Sequence, residues 1–462
     1  MTRISNKQDT LRTSLDRFVR EAGSLVAGNP HFYAMVGDRK IRIVRSGGPQ
    51  SGSWSLPTET VQRALLTTPA EHALTSLSSM TAVVDEIQKL PGWRELLPSV
   101  ENRQTGFDEM LYLRDHLVVP LFRRYVDVAN DSGYNHEAFE RVFAEFAEVI
   151  RSHTVREEAL IPLTQLLWAL KRDNLVLQDD LVIRRLTDAD REAIINRGTF
   201  GVGSGTNDLG AATLIGLTDA ALDGRWRIPF HGTRMDSRTW DPAYDAITAL
   251  RLASRGAFSA TGCYVKSALT RWYATGSGYV PLAYASRTEY TRYVLDERAA
   301  ESTKRVFDAI RALGPDDRAN VLLPLERFHR SFDVPRLEES VVDLVIALEA
   351  LLVTSGSGSR HQLRMRLPIF ISRDREQRLR LGKLVDAAYG MRSAIVHGGH
   401  QAPTPRGDFS KLPLHEFITE LTEAVRQVLR RAIVDASTNK RRIADIERYI
   451  DEDLIMGTSN TN

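Results

Sequence analysis

The sequence predicts a mainly α protein with a smaller β-containing middle region and a C-terminal antiparallel helical bundle. Three observations carry this: helical apolar spacing in the first 180 residues, a change of texture between 181 and 292, and a return to helical spacing near Asp296. The chain has 462 residues, 42% hydrophobic and 26% charged, with only 30 Gly and 18 Pro. That is enough apolar material for a sizeable core divided into two or three domains.

In residues 1–180, Leu, Val, Ile and Phe recur at i, i+3, i+4 over Glu109 to Val128, Glu137 to Ile150 and Glu158 to Leu170, so each is expected to be helical. The exception is HFYAMVGDRKIRIV at 31–44, where two β-prone runs flank Gly37-Asp38 and predict a hairpin before the Gly/Ser-rich loop 46–53. Residues 181–292 hold short β-prone pieces, LVIRRL, AITALRL, GCYVKSAL and YVPLAY, between clusters of Gly, Ser, Asp and Thr, which predicts a small mixed or β-rich region. From 293 to 450, RAAESTKRVFDAI, LEESVVDLVIALEALL, REQRLRLGKLVDAAYGMRSAIV and LHEFITELTEAVRQVLRRAIV give about four amphipathic helices, the number an antiparallel bundle needs. Residues 451–462 read as a flexible tail.

Composition narrows function mostly by exclusion. Sixty-one Lys and Arg against 59 Asp and Glu give a net charge of +2, so attraction to nucleic acid has to come from a local patch. A single cysteine, Cys263, excludes an intramolecular disulfide framework and a thiolate-rich zinc site, and fits a small packed side chain. No signal-type apolar stretch opens the chain and no segment reaches about 18 apolar residues, so no membrane span and a cytoplasmic location are expected. The Gly-rich run GVGSGTNDLG at 201–210 follows a helix-like segment and lacks the lysine of a phosphate loop, so it reads as a connector. No G-x-S-x-G elbow nominates a hydrolase triad.

The segment YGMRSAIVHGG, 389–399, is the most informative. Leu381, Leu384, Ala388, Met391 and Ile395 share one helical face and read as core, while Gly398 is placed to end the helix. Arg392 and His397 are left over. Five residues separate them, about 140° around a helix, so the long arginine side chain has to reach toward a histidine at the helix mouth. The helix dipole there favours imidazolium. By spacing alone such a pair is more often a solvated helix edge or a cap on the last carbonyls.

The neighbouring sequence adds to that reading. RLEESVVDLVIALEALLV, then LRMRLPIF, then KLVDAAYGMRSAIVHGG, then VRQVLRRAI, together resemble the Apea-like branch of the HEPN (higher eukaryotes and prokaryotes nucleotide-binding) superfamily over roughly residues 320–435. The resemblance implies a HEPN-like helical bundle that pairs with a second copy, and a metal-independent ribonuclease site in which Arg392 and His397 are catalytic. It implies no cofactor. Directly after the arginine, where catalytic members often carry Asn, Asp or His, this chain has Ser393, which keeps a short hydrogen-bonding group in a supporting position. By the same resemblance the chain is expected to act in bacterial antiphage defence or a toxin-like system; residues 1–292 are expected to sense a trigger, a phage-derived one included, or to gate the site. The competing reading is a non-catalytic module in which the same residues hold RNA, a nucleotide or the partner copy.

The residue chemistry fits the RNA cleavage that the resemblance implies, without a metal. RNA carries its nucleophile in the 2′-hydroxyl, so an enzyme need only move protons and stabilise a phosphate gaining charge. His397 can move protons, and Arg392 offers a charged planar fork matched to phosphate oxygens. One histidine per chain cannot easily serve both sides of the phosphorus, whereas a two-fold pair brings two. Between 360 and 392 nine Lys and Arg face only Asp374, Glu376 and Asp386; Arg360, Arg364, Arg366 and Lys383 are the candidate RNA contacts, although a charge run is also an ordinary solvated face. Glu349, in an otherwise apolar helix, is expected to tie down a neighbouring arginine rather than act in catalysis. His397 and His400 lack further ligands at metal spacing, so no metal is expected.

Overall fold

A computed structural model describes residues 2–42, 44–46, 53–55, 58–97, 106–152, 154–197, 218–229, 237–266, 279–284, 292–334, 336–353, 358–396, 404–405, 407–438 and 441–455. The protein is mostly helical, with a small antiparallel sheet in its middle and a helical bundle at its C-terminal end. The connector 201–210 lies outside the described residues.

Helix α1 (Thr2–Ala27) opens the chain. Its Leu11, Leu15, Phe18, Val19, Ala22 and Val26 repeat at helical spacing and are all buried. Strands β1 (Tyr33–Ile41), β2 (Val44–Ser46), β3 (Ser53–Ser55) and β4 (Thr58–Leu66) follow. The hairpin expected to turn at Gly37-Asp38 forms differently: β1 runs straight through both residues and pairs antiparallel with β4 from Tyr33↔Leu66 to Ile41↔Thr58. Gly-Asp is the reverse of the Asp-Gly order a tight hairpin turn prefers, and β4 supplies a partner of equal length. Helices α2 (Thr68–Leu74) and α3 (Ser78–Gln88) come next, then α4 (Glu109–Leu113), which passes through a π segment (Arg114–Val118) into α5 (Val119–Ala129), and α6 (His136–Ser152). The expected helix over Glu109 to Val128 is therefore present with one wide turn, immediately before Pro120, whose ring removes an N–H from the ladder. Phe18 of α1 meets Phe122 of α5 edge-on with centroids 5.9 Å apart.

The middle region contains β5 (Thr154–Leu163), β6 (Leu166–Trp168), β7 (Asn174–Gln178), β8 (Leu181–Arg185), α7 (Asp188–Arg197), β9 (Ala220–Pro229), α8 (Ser237–Ala253), β10 (Ala260–Lys266), β11 (Tyr279–Tyr284) and β12 (Tyr293–Leu295). Six of the strands form one antiparallel sheet in the order β11-β10-β5-β9-β8-β7. Cys263 lies on β10. Two readings are corrected here. Glu158 to Leu170 is not helix: Pro162 interrupts any helical ladder, the run to Leu163 ends β5 between β9 and β10, and Leu166–Trp168 forms β6, which pairs with β12. AITALRL is the end of α8, not a strand; Ala246, Ile247, Ala249, Leu250 and Leu252 are all buried, and a helix apolar on every side carries no period to read.

The bundle comprises α9 (Glu297–Arg311), α10 (Pro315–Asp333), α11 (Leu337–Leu352), α12 (Ser359–Ile371), α13 (Arg375–Val396), α14 (Leu414–Ser437) and α15 (Ile446–Ile455). The four expected helices are α9, α11, α13 and α14. Helix α11 is the hub, packing against α10, α12, α13, α14 and α15. Its Val341, Leu344, Val345, Ala347, Leu348, Leu351 and Leu352 are buried, which explains its nearly continuous apolar sequence. Helix α8 packs on α9 and α14, although it lies before residue 292. Buried Asp245 of α8 binds Arg311 of α9 at 3.1 Å and Arg318 of α10 at 2.5 Å, and buried Arg251 binds His329 of α10. At the other end, α15 carries the chain as ordered helix through residues 451–455, which the sequence assigns to a tail, because Asp451 is tied to Arg366.

Candidate functional site

Helix α13 places the site. Leu381, Leu384, Val385, Ala388 and Met391 are buried against the rest of the bundle, as the apolar spacing predicts, while Ile395 is half-buried. Fixing that face leaves Tyr389 and Arg392, three residues apart and therefore on one flank, directed at Glu349 of α11. Arg392 Nη2 lies 3.3 Å from Glu349 Oε2, and the Tyr389 hydroxyl donates to Glu349 Oε1. The guanidinium carbon of Arg392 sits 5.7 Å from the centre of the Tyr389 ring. A single carboxylate thus receives a phenol on one oxygen and a guanidinium on the other.

The electrostatics follow from this sharing. Burial, then the hydrogen bond and charge of Glu349, push the Tyr389 hydroxyl well above its ordinary value, so it remains a donor throughout the physiological range. Arg392 is about one-third exposed. Its Nε is buried and meets no hydrogen-bond acceptor among the described residues. The guanidinium is therefore anchored by one nitrogen, while its buried Nε–H bears a desolvation cost without a hydrogen bond in return. Ser393, the next residue, is exposed, and His397 lies outside the described residues, as do Gly398 and His400.

The candidate RNA contacts separate into three situations. Arg360 and Arg364 of α12, both exposed, converge on Asp386 of α13 at 2.8 and 3.4 Å. Lys383, exposed on α13, reaches Asp408 at 2.5 Å. Exposed pairs of this kind are worth about 0–1 kcal/mol each and exchange readily for another anion. Arg366 is different: it is buried, grips Asp451 of α15 through Nε at 2.9 Å and Nη2 at 2.7 Å, and donates from Nη1 to the carbonyl of Leu352 at 2.8 Å. It satisfies the end of α11 and ties α12 to α15, and it offers no donor to a surface ligand. Arg380 adds an exposed cation the sequence did not single out, paired with Glu420 at 2.5 Å.

The residue that sequence reasoning missed is Tyr389. Its position three before Arg392 was a usable signal, but only the placement of α11 beside α13 supplies its partner. Among the described residues no group of three or more His, Cys, Asp or Glu is arranged to hold a metal ion, and no helix is long and apolar enough to cross a membrane. No protein-family model, curated protein or solved structure matches this chain.

Proposed function

We propose that the chain is a HEPN-type endoribonuclease that works without a metal ion, acting in bacterial antiphage defence or a toxin-like system, with the segment before the bundle sensing a trigger or gating the site. The observation that carries this reading is Arg392: a guanidinium near the end of α13, anchored by Glu349 and still about one-third exposed, with His397 five residues on in sequence. An anchored planar guanidinium that stays partly exposed is what a phosphate gaining charge in a transition state requires.

In this reading RNA enters along α12 and α13, its phosphates replacing Asp386 and Asp408 as partners of Arg360, Arg364 and Lys383. The 2′-oxygen loses its proton to a base and attacks the adjacent phosphorus. Arg392 balances charge on the non-bridging oxygens. The P–O5′ bond breaks as the 5′-oxygen takes a proton, leaving a 2′,3′-cyclic phosphate and a 5′-hydroxyl. His397 of one copy supplies the base and His397 of a second copy the acid, which makes a homodimer part of the mechanism.

The same ion pair favours a second reading. Glu349 competes with phosphate for Arg392, so the bundle also fits a non-catalytic module that holds RNA or its partner copy. Incubating the purified chain with labelled RNA in EDTA separates them. Fragments ending in 2′,3′-cyclic phosphate that vanish with Arg392→Ala and with His397→Ala support the enzyme; retained RNA binding with intact RNA supports the module.

A further inference from the structure

A second cationic site lies elsewhere in the bundle, in a cleft of about 1040 Å³ between α9, α14 and the end of α8. It shares no residue with the Glu349–Tyr389–Arg392 cluster. Positions 298, 301, 302 and 305 of α9 fall on one helical face, as do 423, 427, 430, 431 and 434 of α14, and the two faces line opposite walls. The floor is aliphatic, with Ala253, Ala299 and Val306 buried and Val434 half-buried.

Three of the five arginines of this cleft, unlike Arg360, Arg364 and Arg392, have no carboxylate partner among the described residues. Arg298, Arg305 and Arg430 make no side-chain ion pair or hydrogen bond with any described residue. The cleft's acids are largely committed elsewhere. Asp296 caps α9 by accepting from Ala299 N at 2.8 Å, Glu423 is held by Arg426 and by Arg255 at 3.3 Å, and Asp435 lies 3.6 Å from Arg431. Glu301 alone among them has no such partner among the described residues, and it sits with Arg305 where the cleft opens into a further groove of about 490 Å³ beside the exposed Val176.

We infer that this cleft binds a nucleotide, with its phosphates on Arg298, Arg305 and Arg430 and its base and sugar on the aliphatic floor. Three guanidinium forks without carboxylate partners call for phosphate oxygens. The apolar floor calls for a body that a bare polyphosphate lacks, and Glu301 calls for a ligand that also carries hydroxyl or amino donors. The volume lies at the upper end of the range of about 300–1,000 Å³ in which small-molecule ligands are held.

The test is calorimetric titration of the full chain with ATP, tripolyphosphate and a short single-stranded RNA, using wild type, Arg305→Glu, Arg430→Glu and, as a control on α1, Arg17→Glu. Saturable ATP binding that tightens relative to tripolyphosphate, weakens at least about tenfold in each cleft variant and is unchanged in Arg17→Glu supports the inference. Should a charge reversal unfold the chain, judged by circular dichroism, Arg305→Ala and Arg430→Ala carry the same expectation. Absence of saturable ATP binding, equal binding of tripolyphosphate, binding by RNA alone, or ATP binding indifferent to the cleft variants each overturns it. Because RNA cleavage plays no part in the readout, an inactive nuclease leaves the result interpretable.

Discussion

Glu349 on α11 and Arg392 on α13 stand 3.3 Å apart, oxygen to nitrogen, across 43 residues of sequence, and each is only partly exposed. The Tyr389 hydroxyl holds the other oxygen of the same carboxylate, so the carboxylate cannot rotate without giving up a hydrogen bond. Glu349 thereby fixes where the Arg392 guanidinium points.

In the proposed nuclease that geometry gives Tyr389 the part of a positioning residue. In Tyr389→Phe the ring and its packing remain, Arg392 remains, and only the hold on Glu349 is lost. Cleavage under single-turnover conditions is expected to fall about three- to tenfold, corresponding to the roughly 1 kcal/mol of one hydrogen bond. RNA affinity at the α12–α13 surface should stay within about twofold. A Phe variant that cleaves like wild type would show that Glu349 needs no second partner.

Arg392→Ala and His397→Ala are each expected to abolish cleavage while leaving urea unfolding within about 1 kcal/mol of wild type, since Arg392 sits at the edge of the core. Arg392→Lys should fail as well, because a compact ammonium cannot copy the planar guanidinium fork. Full activity in either Ala variant would move the site away from α13.

Arg366 gives the contrasting outcome. It lies within the same basic stretch as Arg364, yet Arg366→Ala would leave Asp451 without its partner and the Leu352 carbonyl without its donor. The expected loss is about 2–4 kcal/mol of stability, visible in urea unfolding, and the loss of any activity should track unfolding rather than RNA affinity. A folded Arg366→Ala protein with weakened RNA binding would return this residue to the binding surface.

How much of this was legible in the sequence depended on whether a residue's role was set locally. The helices α9, α11, α13 and α14 show an uninterrupted apolar pattern and were readable; α10 and α12 carry Pro324 and Pro368 inside them, which masks an otherwise helical run. The segment from Glu158 and the AITALRL run were misread because a short apolar stretch packs equally well as strand or helix until its neighbours are known. At the site, Glu349 as the tether of an arginine was foreseeable from a charge within the apolar run VIALEALL of α11. That the arginine is Arg392, with Tyr389 alongside, was not, because it depends on how α11 and α13 are rotated against each other. Arg364 and Arg366 look alike in sequence; only the facing of α12 makes one a surface cation and the other a buried tie.

The buried cluster joining α8 to α10 predicts a pH dependence of stability. Burial pushes the Asp333 carboxyl up to about 7, against the partial opposition of Arg251 3.5 Å away. His329 in the same cluster is held well below its usual value by burial and by Arg251, with Thr248 at 2.9 Å on its Nε2. For Asp333 the folded pKa lies above the unfolded one, so its contribution is fully present below about pH 4 and is lost as pH rises toward 7. Relative to Asp333→Asn, wild type should therefore lose unfolding free energy between pH 4 and 7, at up to about 1.4 kcal/mol per pH unit. His329 acts with the opposite sign, costing stability as pH falls below about 6.5, but it is common to both proteins and cancels in the comparison. Parallel stability curves for the two proteins across that window would place the Asp333 carboxyl at an ordinary value.

The one-histidine argument leads to the last prediction, that the active species is a homodimer in which the ends of two α13 helices meet and His397 of each copy serves one side of the phosphorus. Arg392→Ala and His397→Ala chains are separately inactive in this scheme. Mixed and allowed to exchange, they form heterodimers carrying one intact Arg392 and one intact His397 in total. If one of each is sufficient, cleavage partly returns, in proportion to the heterodimer fraction; if the acid and the base are both histidines, as proposed, the mixture stays inactive while wild type added to His397→Ala loses activity faster than simple dilution. Sedimentation of wild type at the assay concentration decides the premise, since full activity from a monomer would remove the shared site altogether.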